Sequence, residues 1–428
     1  MKPAAQRNIL VYADWKELEE PALMGTLKAT PGRGKEIFSF EYDRAWLEGS
    51  NRLELDPHLQ WFDGPQYARE SHQNFGLFLD SSPDRWGRQL MERREQRAAL
   101  HEKRPSRKLV ESDFLLGVHD AHRIGALRFK LDAAGPFLDD RTELASPPWT
   151  SLSELEAAAG KLEQKNAESD TDYDQWLRML IAPGGSLGGA RPKASVRDEN
   201  GHLWIAKFPS VNDAVNVGAW EMVAWRLAKL AGIEVPDAQV QRFNSEHLTY
   251  ITRRFDRNDD GTRTHFASAM TLLGHHDGDA AATGASYLEL ADFLIRNGAQ
   301  TTQDLDELWQ RIVLSVCISN VDDHLRNHGF LLVPGKGWRL APAFDVNPTP
   351  HSDGLTLNIS ETGNALDLDL VRSVAGSFRV KPDRREKIID TITHAVRQWR
   401  PVATAVEISR AEQEKMASAF AIAESAGN

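Results

Sequence analysis

Cysteine is almost absent from this chain of 428 residues: there is one, Cys317, inside the apolar run IVLSVCI. One thiol forms neither an internal disulfide nor a multi-cysteine zinc site, and this usage fits a reducing, cytoplasmic compartment. Positive charge is also in short supply. Lys and Arg number 51 against 62 Asp and Glu, a net charge of −11, whereas a chain that binds nucleic acid by itself relies on clustered cations. No apolar run reaches the ~20 residues that cross a bilayer. The first residues, MKPAAQRNILVYADW, lack the apolar core and small-residue cleavage site of a signal peptide, so none is expected. Internal repeats and low-complexity tracts are missing too. What is present is the composition of a folded soluble protein, 41% hydrophobic and 26% charged, long enough for two or three domains or lobes.

Residues 1–131 read as mixed α/β. NILVYADW, EIFSFEYD and RIGALRFKL are strand-like, and SSPDRWGRQLMERREQRAAL is a helix with Ser82 as N-cap and Pro83 in its first turn. A connector rich in Pro, Ser and Asp covers 132–150, and a helix with a Ser151–Glu154 capping box follows. Residues 151–258 continue with the hairpin KASVRD–ENG–HLWIAKFPS, the helix GAWEMVAWRLAKLAG and two more strands, DAQVQRF and LTYITRRFDR. From 259 to 428 helical periodicity dominates, in SYLELADFLIRNG, DLDELWQRIVLSVCISN and DRREKIIDTITHAVRQW. The fold class expected is therefore α+β, two-lobed, with a strand-rich N-terminal lobe and a helical C-terminal lobe.

Two segments carry chemistry. In PGGSLGGARPKASV, Gly184, Gly185, Gly188 and Gly189 surround Ser186 and Leu187. Such a loop is either a flexible connector or a nest of backbone N–H groups around an anion. Lys207, mid-strand in LWIAKFP, either snorkels into water or reaches a phosphate held by that loop. The second segment is ISNVDDHLRNHGFLLVPGKGWRLAPAFDVNP. Asn327 stands nine positions before Lys336 and Asp345 nine after it, so a hairpin turning between Gly335 and Lys336 would bring the two opposite one another. An amide oxygen and a carboxylate suit Mg²⁺, which keeps several waters and completes its shell with nucleotide phosphates. Asp322, five residues before Asn327, is placed to take the proton of an attacking hydroxyl. An Asp, an Asn five residues on and a second Asp beyond a hairpin match the layout of protein kinases, so phosphoryl transfer from ATP is the sharpest reading.

The whole set, SLGGARPKA, LWIAKFP, RRFDR, DDHLRNHGFL and LAPAFDVNPT together with IFSFEYDRAWL, SPDRWGRQLM and RIGALRFK near the N-terminus, resembles the HipA family of bacterial toxin–antitoxin serine/threonine kinases. The resemblance implies a protein-kinase-like fold using ATP and Mg²⁺, in the bacterial cytoplasm and away from membranes. It assigns Asp322 as catalytic base, Asn327 and Asp345 as metal ligands, and Lys207 as the lysine on the nucleotide phosphates. Gly188, Gly189, Ala190, Arg191 and Lys193 match the phosphate-binding loop, and Arg253, Arg254 and Phe255 match the linker beside adenine. Ser186 matches the serine whose autophosphorylation switches family members off. The implied partners are a HipB-like DNA-binding antitoxin, through which alone DNA is reached, and a protein substrate such as an aminoacyl-tRNA synthetase. One departure is Pro192, which removes an N–H donor from the loop.

Plainer readings stand beside these. His324 is kept among the nucleotide-site candidates, with a structural hydrogen bond as its other reading, and a zinc role with His328 is disfavoured because Asn327 already leads into a strand. Asp323 is the rival for the base. Glu221 either pairs with Lys207 or is an exposed helical glutamate. The basic stretch 93–108, seven Lys or Arg against two acids, is read first as a solvated helix face and second as a contact for DNA or an acidic partner. Two other functions remain open: a small-molecule phosphotransferase, and an inert kinase fold serving as co-repressor with an antitoxin.

Overall fold

The computed structural model describes residues 6–49, 53–69, 71–141, 146–181, 189 and 191–426. The chain forms two compact units, Met1–Asn212 with Arg253–Ala267, and Asp213–Thr252 with Ser268–Asn428.

The first unit opens with an antiparallel sheet of β1 (Arg7–Ala13), β2 (Ala22–Pro31), β3 (Glu36–Tyr42), β4 (Gln66–Tyr67) and β5 (Leu127–Lys130), ordered β4-β3-β2-β1-β5. β1 forms because Ile9, Val11 and Ala13 alternate onto one face, and all three are completely buried. β2 is an addition to the expected strands. Its alternation breaks at Met24 and Gly25, both buried, where the β1–β2 register shifts between Val11 and Tyr12, and a bulge of this kind hides the period-two signal.

The helix Arg85–His101 is capped by Asp84, whose Oδ1 accepts from Gly87 N at 2.7 Å. Ser82 is not the cap, because its hydroxyl donates to Phe78 O in the preceding turn, 2.9 Å away. Ser151 makes no capping bond either: it closes a 3₁₀ turn, Trp149–Ser151, and already has helical dihedrals. The basic stretch is largely consumed inside the unit. Arg97 binds both oxygens of Asp174, Arg104 bonds Glu95 and Glu102, Arg107 reaches Asp113, and Arg93 donates to Leu162 O. Guanidiniums held this way favour a structural face over a phosphate-reading one. Further on, β6 (Lys193–Arg197) and β7 (Leu203–Lys207) form the expected hairpin, with Lys193 paired to Lys207 and Arg197 to Leu203.

In the second unit the helix Val217–Leu230 stops before Gly232, whose φ of 80° suits a residue without Cβ. The hairpin of β8 (Ala238–Gln241) and β9 (Thr249–Arg253) follows, and the chain re-enters this unit at Ser268, the last residue of the short β10 (Phe266–Ser268). Helix Tyr287–Asn297 starts at a true capping box between Ser286 and Glu289. Helix Thr301–Cys317 carries an apolar stripe in its polar first half and is buried on every side from Arg311 to Cys317. The hairpin of β11 (Gly329–Val333) and β12 (Gly337–Leu340) comes next. Trp220 packs beside Trp399 and Phe420, the last two stacked at 4.4 Å, which ties the start of the unit to its C-terminal helices. Among the described residues no helix is long and apolar enough to cross a membrane.

Candidate active site

Ser319, at a φ of 50°, turns the chain out of the buried helix Thr301–Cys317 and into the loop that carries the acidic pair. The two neighbours then part. Asp323 is buried, and its carboxylate accepts from Tyr287 Oη at 2.5 Å and Ser315 Oγ at 3.2 Å and sits 2.9 Å from His328 Nε2. Burial works against its charged form, but His328 and the two hydroxyls outweigh it and hold the carboxyl below its usual range. Asp322 is exposed, and among the described residues its carboxylate has no hydrogen-bond partner. Asp323 is thus spent on holding the loop, and Asp322 is the one available to a substrate.

Asn327 closes the loop onto Asp322. Its Nδ2 donates to Asp322 O at 3.0 Å, and its backbone N–H to His324 O at 2.8 Å. With the amide nitrogen engaged, Oδ1 is the atom left to meet a cation. His324 Nδ1 is buried with no partner, so the structural hydrogen bond expected of it is not made at that atom.

The β11–β12 ladder runs from Phe330–Leu340 to Val333–Gly337, which centres the turn on Gly335. Gly335 has a φ of 72° and lets a three-residue turn form. That register places Ala343 opposite Asn327, two residues short of Asp345, and β12 ends at Leu340. Strand pairing therefore does not join Asn327 to Asp345 as the spacing suggested. Loop contacts do return this stretch to the acidic loop: Asn347 N–H donates to Asn320 Oδ1 at 3.0 Å, and Thr349 N–H to Ser319 O at 3.1 Å. Asp345 itself has a φ of 57°, a left-handed conformation costing about 1–2 kcal/mol in a residue with a Cβ. Nearby, Tyr250 is buried, and burial together with Glu221 and Asp345 drives its hydroxyl well above the usual range. Glu221 is itself buried, which removes the exposed-glutamate reading. Asn320 and Asn347 are site residues that spacing did not single out, and Asn347 Oδ1 is buried without a partner.

In the first unit, Ser186, Gly188 and Ala190 lie outside the described residues. Gly189 is exposed at a φ of 99°, which a side chain would strain. Lys193 is buried, with Nζ 2.9 Å from Asp84 Oδ2, so the carboxylate that caps helix Arg85–His101 also holds its ammonium, which lies against Gly189 of the glycine loop. The pairing has a second effect. Lys193 and Lys207 are directly opposed across the ladder, where like charges repel, and Asp84 neutralises one of them. Lys207 is half-buried at the end of β7, and Arg191 is half-buried in the bend before β6.

The linker residues divide. Phe255 is half-buried, its ring 6.0 Å from that of Phe266. Arg253 reaches the exposed Asp259 at 2.5 Å. Arg254 is buried and turned inward: it binds both oxygens of Asp256 and donates to His122 O at 2.7 Å. Its guanidinium is committed to the unit's interior, and its backbone N–H to Leu203 O.

Asn327 Oδ1 and the Asp345 carboxylate are hard oxygen atoms of the kind a magnesium ion takes, and His324 Nδ1, buried and unpartnered among the described residues, is one atom a ligand could satisfy. Among the described residues no group of three His, Cys, Asp or Glu side chains could enclose a metal.

The family description "HipA-like C-terminal domain" matches residues 185–399, and "HipA N-terminal domain" matches 20–130. A Haemophilus influenzae protein named "Putative kinase" is 25% identical over 42% of this chain and 60% of its own length. "Putative kinase Y4dM" of Sinorhizobium fredii is 29% identical over 47% of this chain and 52% of its own. The chain thus spans between half and two thirds of these curated relatives. HipA of Shewanella oneidensis MR-1, solved as a toxin–antitoxin complex with HipB and operator DNA, aligns over 97% of this chain and 96% of its own with a TM-score of 0.66 and 16% identity. That likeness shows the shared two-lobed α+β fold, and with the C-terminal match covering half of the sequence, the chain belongs to the HipA family.

Proposed function

We propose that this protein is an ATP- and Mg²⁺-dependent serine/threonine protein kinase acting as the toxin of a toxin–antitoxin pair. The observation that carries the reading is the division of labour in the acidic pair, with Asp323 buried and bonded while Asp322 is exposed and unpartnered among the described residues. Asp322 accepts the proton of the attacking hydroxyl, and the Asn327 amide bonded to its carbonyl fixes the loop around it. Asn327 Oδ1 and Asp345 hold the cation, and Lys207 offsets negative charge on the nucleotide phosphates. The bound magnesium nucleotide supplies the phosphoryl group and neutralises charge as it transfers.

Ser186 is the regulatory acceptor in this proposal: a phosphate there adds nearly two negative charges beside the glycine loop and opposes nucleotide binding. The protein substrate belongs to the translation apparatus, an aminoacyl-tRNA synthetase being the first to test, and a HipB-like antitoxin is the partner through which DNA is reached. Incubation with ATP and Mg²⁺ is expected to phosphorylate Ser186 and a lysate protein. Labelling only in a panel of small metabolites would favour a small-molecule phosphotransferase. Growth arrest on expression that Asp322→Ala relieves would exclude an inert co-repressor, and arrest unaffected by that change would count against catalysis as its cause.

A further inference from the structure

The first unit holds a cavity whose wall is largely separate from the residues assigned to phosphoryl transfer. Three segments meet around it: the turn end of the β6–β7 hairpin with Arg197 and His202, the 253–263 segment, and the short helix Asp120–His122. The middle segment is fixed in shape by an antiparallel bridge between Arg257 and Arg263 and by Asn258 N–H donating to Thr262 O at 2.9 Å. Arg254 N–H donates to Leu203 O at 3.0 Å and pins it to the hairpin.

Five arginines line it, with Asp259 as the only carboxylate among the lining residues. Arg254 and Arg257 spend their guanidiniums on Asp256 and on backbone carbonyls, which leaves Arg197, Arg253 and Arg263 as the cationic groups a ligand could use. Behind the wall Asp256 is shared between Arg254 and Arg257. Arg263 reaches Asp120 at 3.1 Å and Asp14 at 3.6 Å, yet its Nη1 is buried and has no partner among the described residues. Burial pushes Arg257 well below the usual arginine range and Arg263 below it as well, against the opposing pull of Asp256 on the one and Asp120 on the other. An arginine does not answer burial by losing its proton, and Arg263 Nη1 is a donor that a bound anion would satisfy.

We propose that this cavity binds a phosphate group, either inorganic phosphate or the phosphate of a small ester. Donors arriving from two separate segments, Arg197 on the hairpin and Arg253 and Arg263 on the 253–263 segment, suit an oxyanion with several acceptor oxygens, and arginine forks match phosphate oxygens in pairs. Arg253 and Arg254 are common to this cavity and the adenine linker, so Arg197, which is exposed and donates to Gly201 O at 2.7 Å, is the residue to change.

The full-length protein is titrated calorimetrically with inorganic phosphate and, separately, with glycerol phosphate. Both titrations are run at constant ionic strength with a non-hydrolysable ATP analogue and Mg²⁺ present to fill any nucleotide site. At least one probe is expected to bind, and Arg197→Ala is expected to weaken it about tenfold, the effect of one charge-assisted hydrogen-bonding group. The tighter probe then names the source of the phosphate. Arg197→Lys, which keeps the charge but loses the fork, is expected to fall between the two. No binding of either probe, or equal affinity in wild type and Arg197→Ala, overturns the proposal.

Discussion

Lys193 Nζ lies 2.9 Å from Asp84 Oδ2, with each side chain about 3% exposed. One carboxylate therefore does two jobs: Oδ1 caps the helix Arg85–His101, and Oδ2 neutralises the lysine that opens β6. Removing one partner of a buried pair leaves the other charge unsatisfied, at a cost of about 3–5 kcal/mol. Asp84→Asn keeps a good N-cap and isolates the ionic part. It is expected to lose most of that stability in urea unfolding, while Asp84→Asn with Lys193→Met recovers much of it. Unfolding of Asp84→Asn within about 0.5 kcal/mol of wild type, the range of ordinary surface changes, would show that the pair contributes little.

The adjacent acids Asp322 and Asp323 should separate on replacement. Asp323→Asn removes the charge beside His328 and leaves one acceptor oxygen where two are used, one by Tyr287 and Ser315 and the other by His328, and is expected to lower the melting temperature clearly. Asp322→Ala is expected to leave melting unchanged. Circular dichroism melts of both variants beside wild type make the comparison, and equal melting would contradict it.

Acid sensitivity follows from the same carboxylate. Asp323 titrates below its unfolded value of about 3.9, so its stabilisation is full above that pH and is lost as pH falls through the lower, folded value. Wild type should therefore lose stability between about pH 4 and its acid midpoint more steeply than Asp323→Asn. Parallel acid limbs for the two proteins would refute this assignment.

Arg254 offers a test of the linker. Its guanidinium is bound to Asp256 and to His122 O, and Asp256 is held well below the usual carboxylate range because Arg254 and Arg257 outweigh the effect of burial. Asp256→Asn strands two buried guanidiniums and is expected to destabilise the fold by about 3–5 kcal/mol. Arg254→Ala is expected to cost stability while leaving nucleotide affinity of the folded protein within about twofold, since no donor is withdrawn from the ligand. A large loss of nucleotide affinity in a stably folded Arg254→Ala would place its side chain at the nucleotide.

Local signals made much of this molecule readable. Helices with a clear 3.6 period, such as Val217–Leu230 and Thr301–Cys317, and strands with clear alternation, such as β1 and β3, lie where the sequence puts them. The five-residue spacing of Asp322 and Asn327 is also local, and the structure closes it with one hydrogen bond. Long-range choices were hidden. Nothing near Lys193 announces a carboxylate 109 residues away, and nothing near Arg254 announces the carbonyl of His122. The β11–β12 register escaped because Gly335 can sit at the centre of a three-residue turn, and that choice moves every pairing beyond it. The capping serines failed for a common reason: a hydroxyl can bond the preceding turn as well as the following one, as Ser82 does.

The proposed chemistry is tested most directly by the intact mass of wild type and of Asp322→Ala, each treated with phosphatase and then incubated with ATP and Mg²⁺. Wild type is expected to gain one phosphate, located at Ser186 by peptide mapping, and Asp322→Ala to gain none. No gain in wild type, or an equal gain in the two proteins, would contradict Asp322 as the base of a phosphoryl transfer.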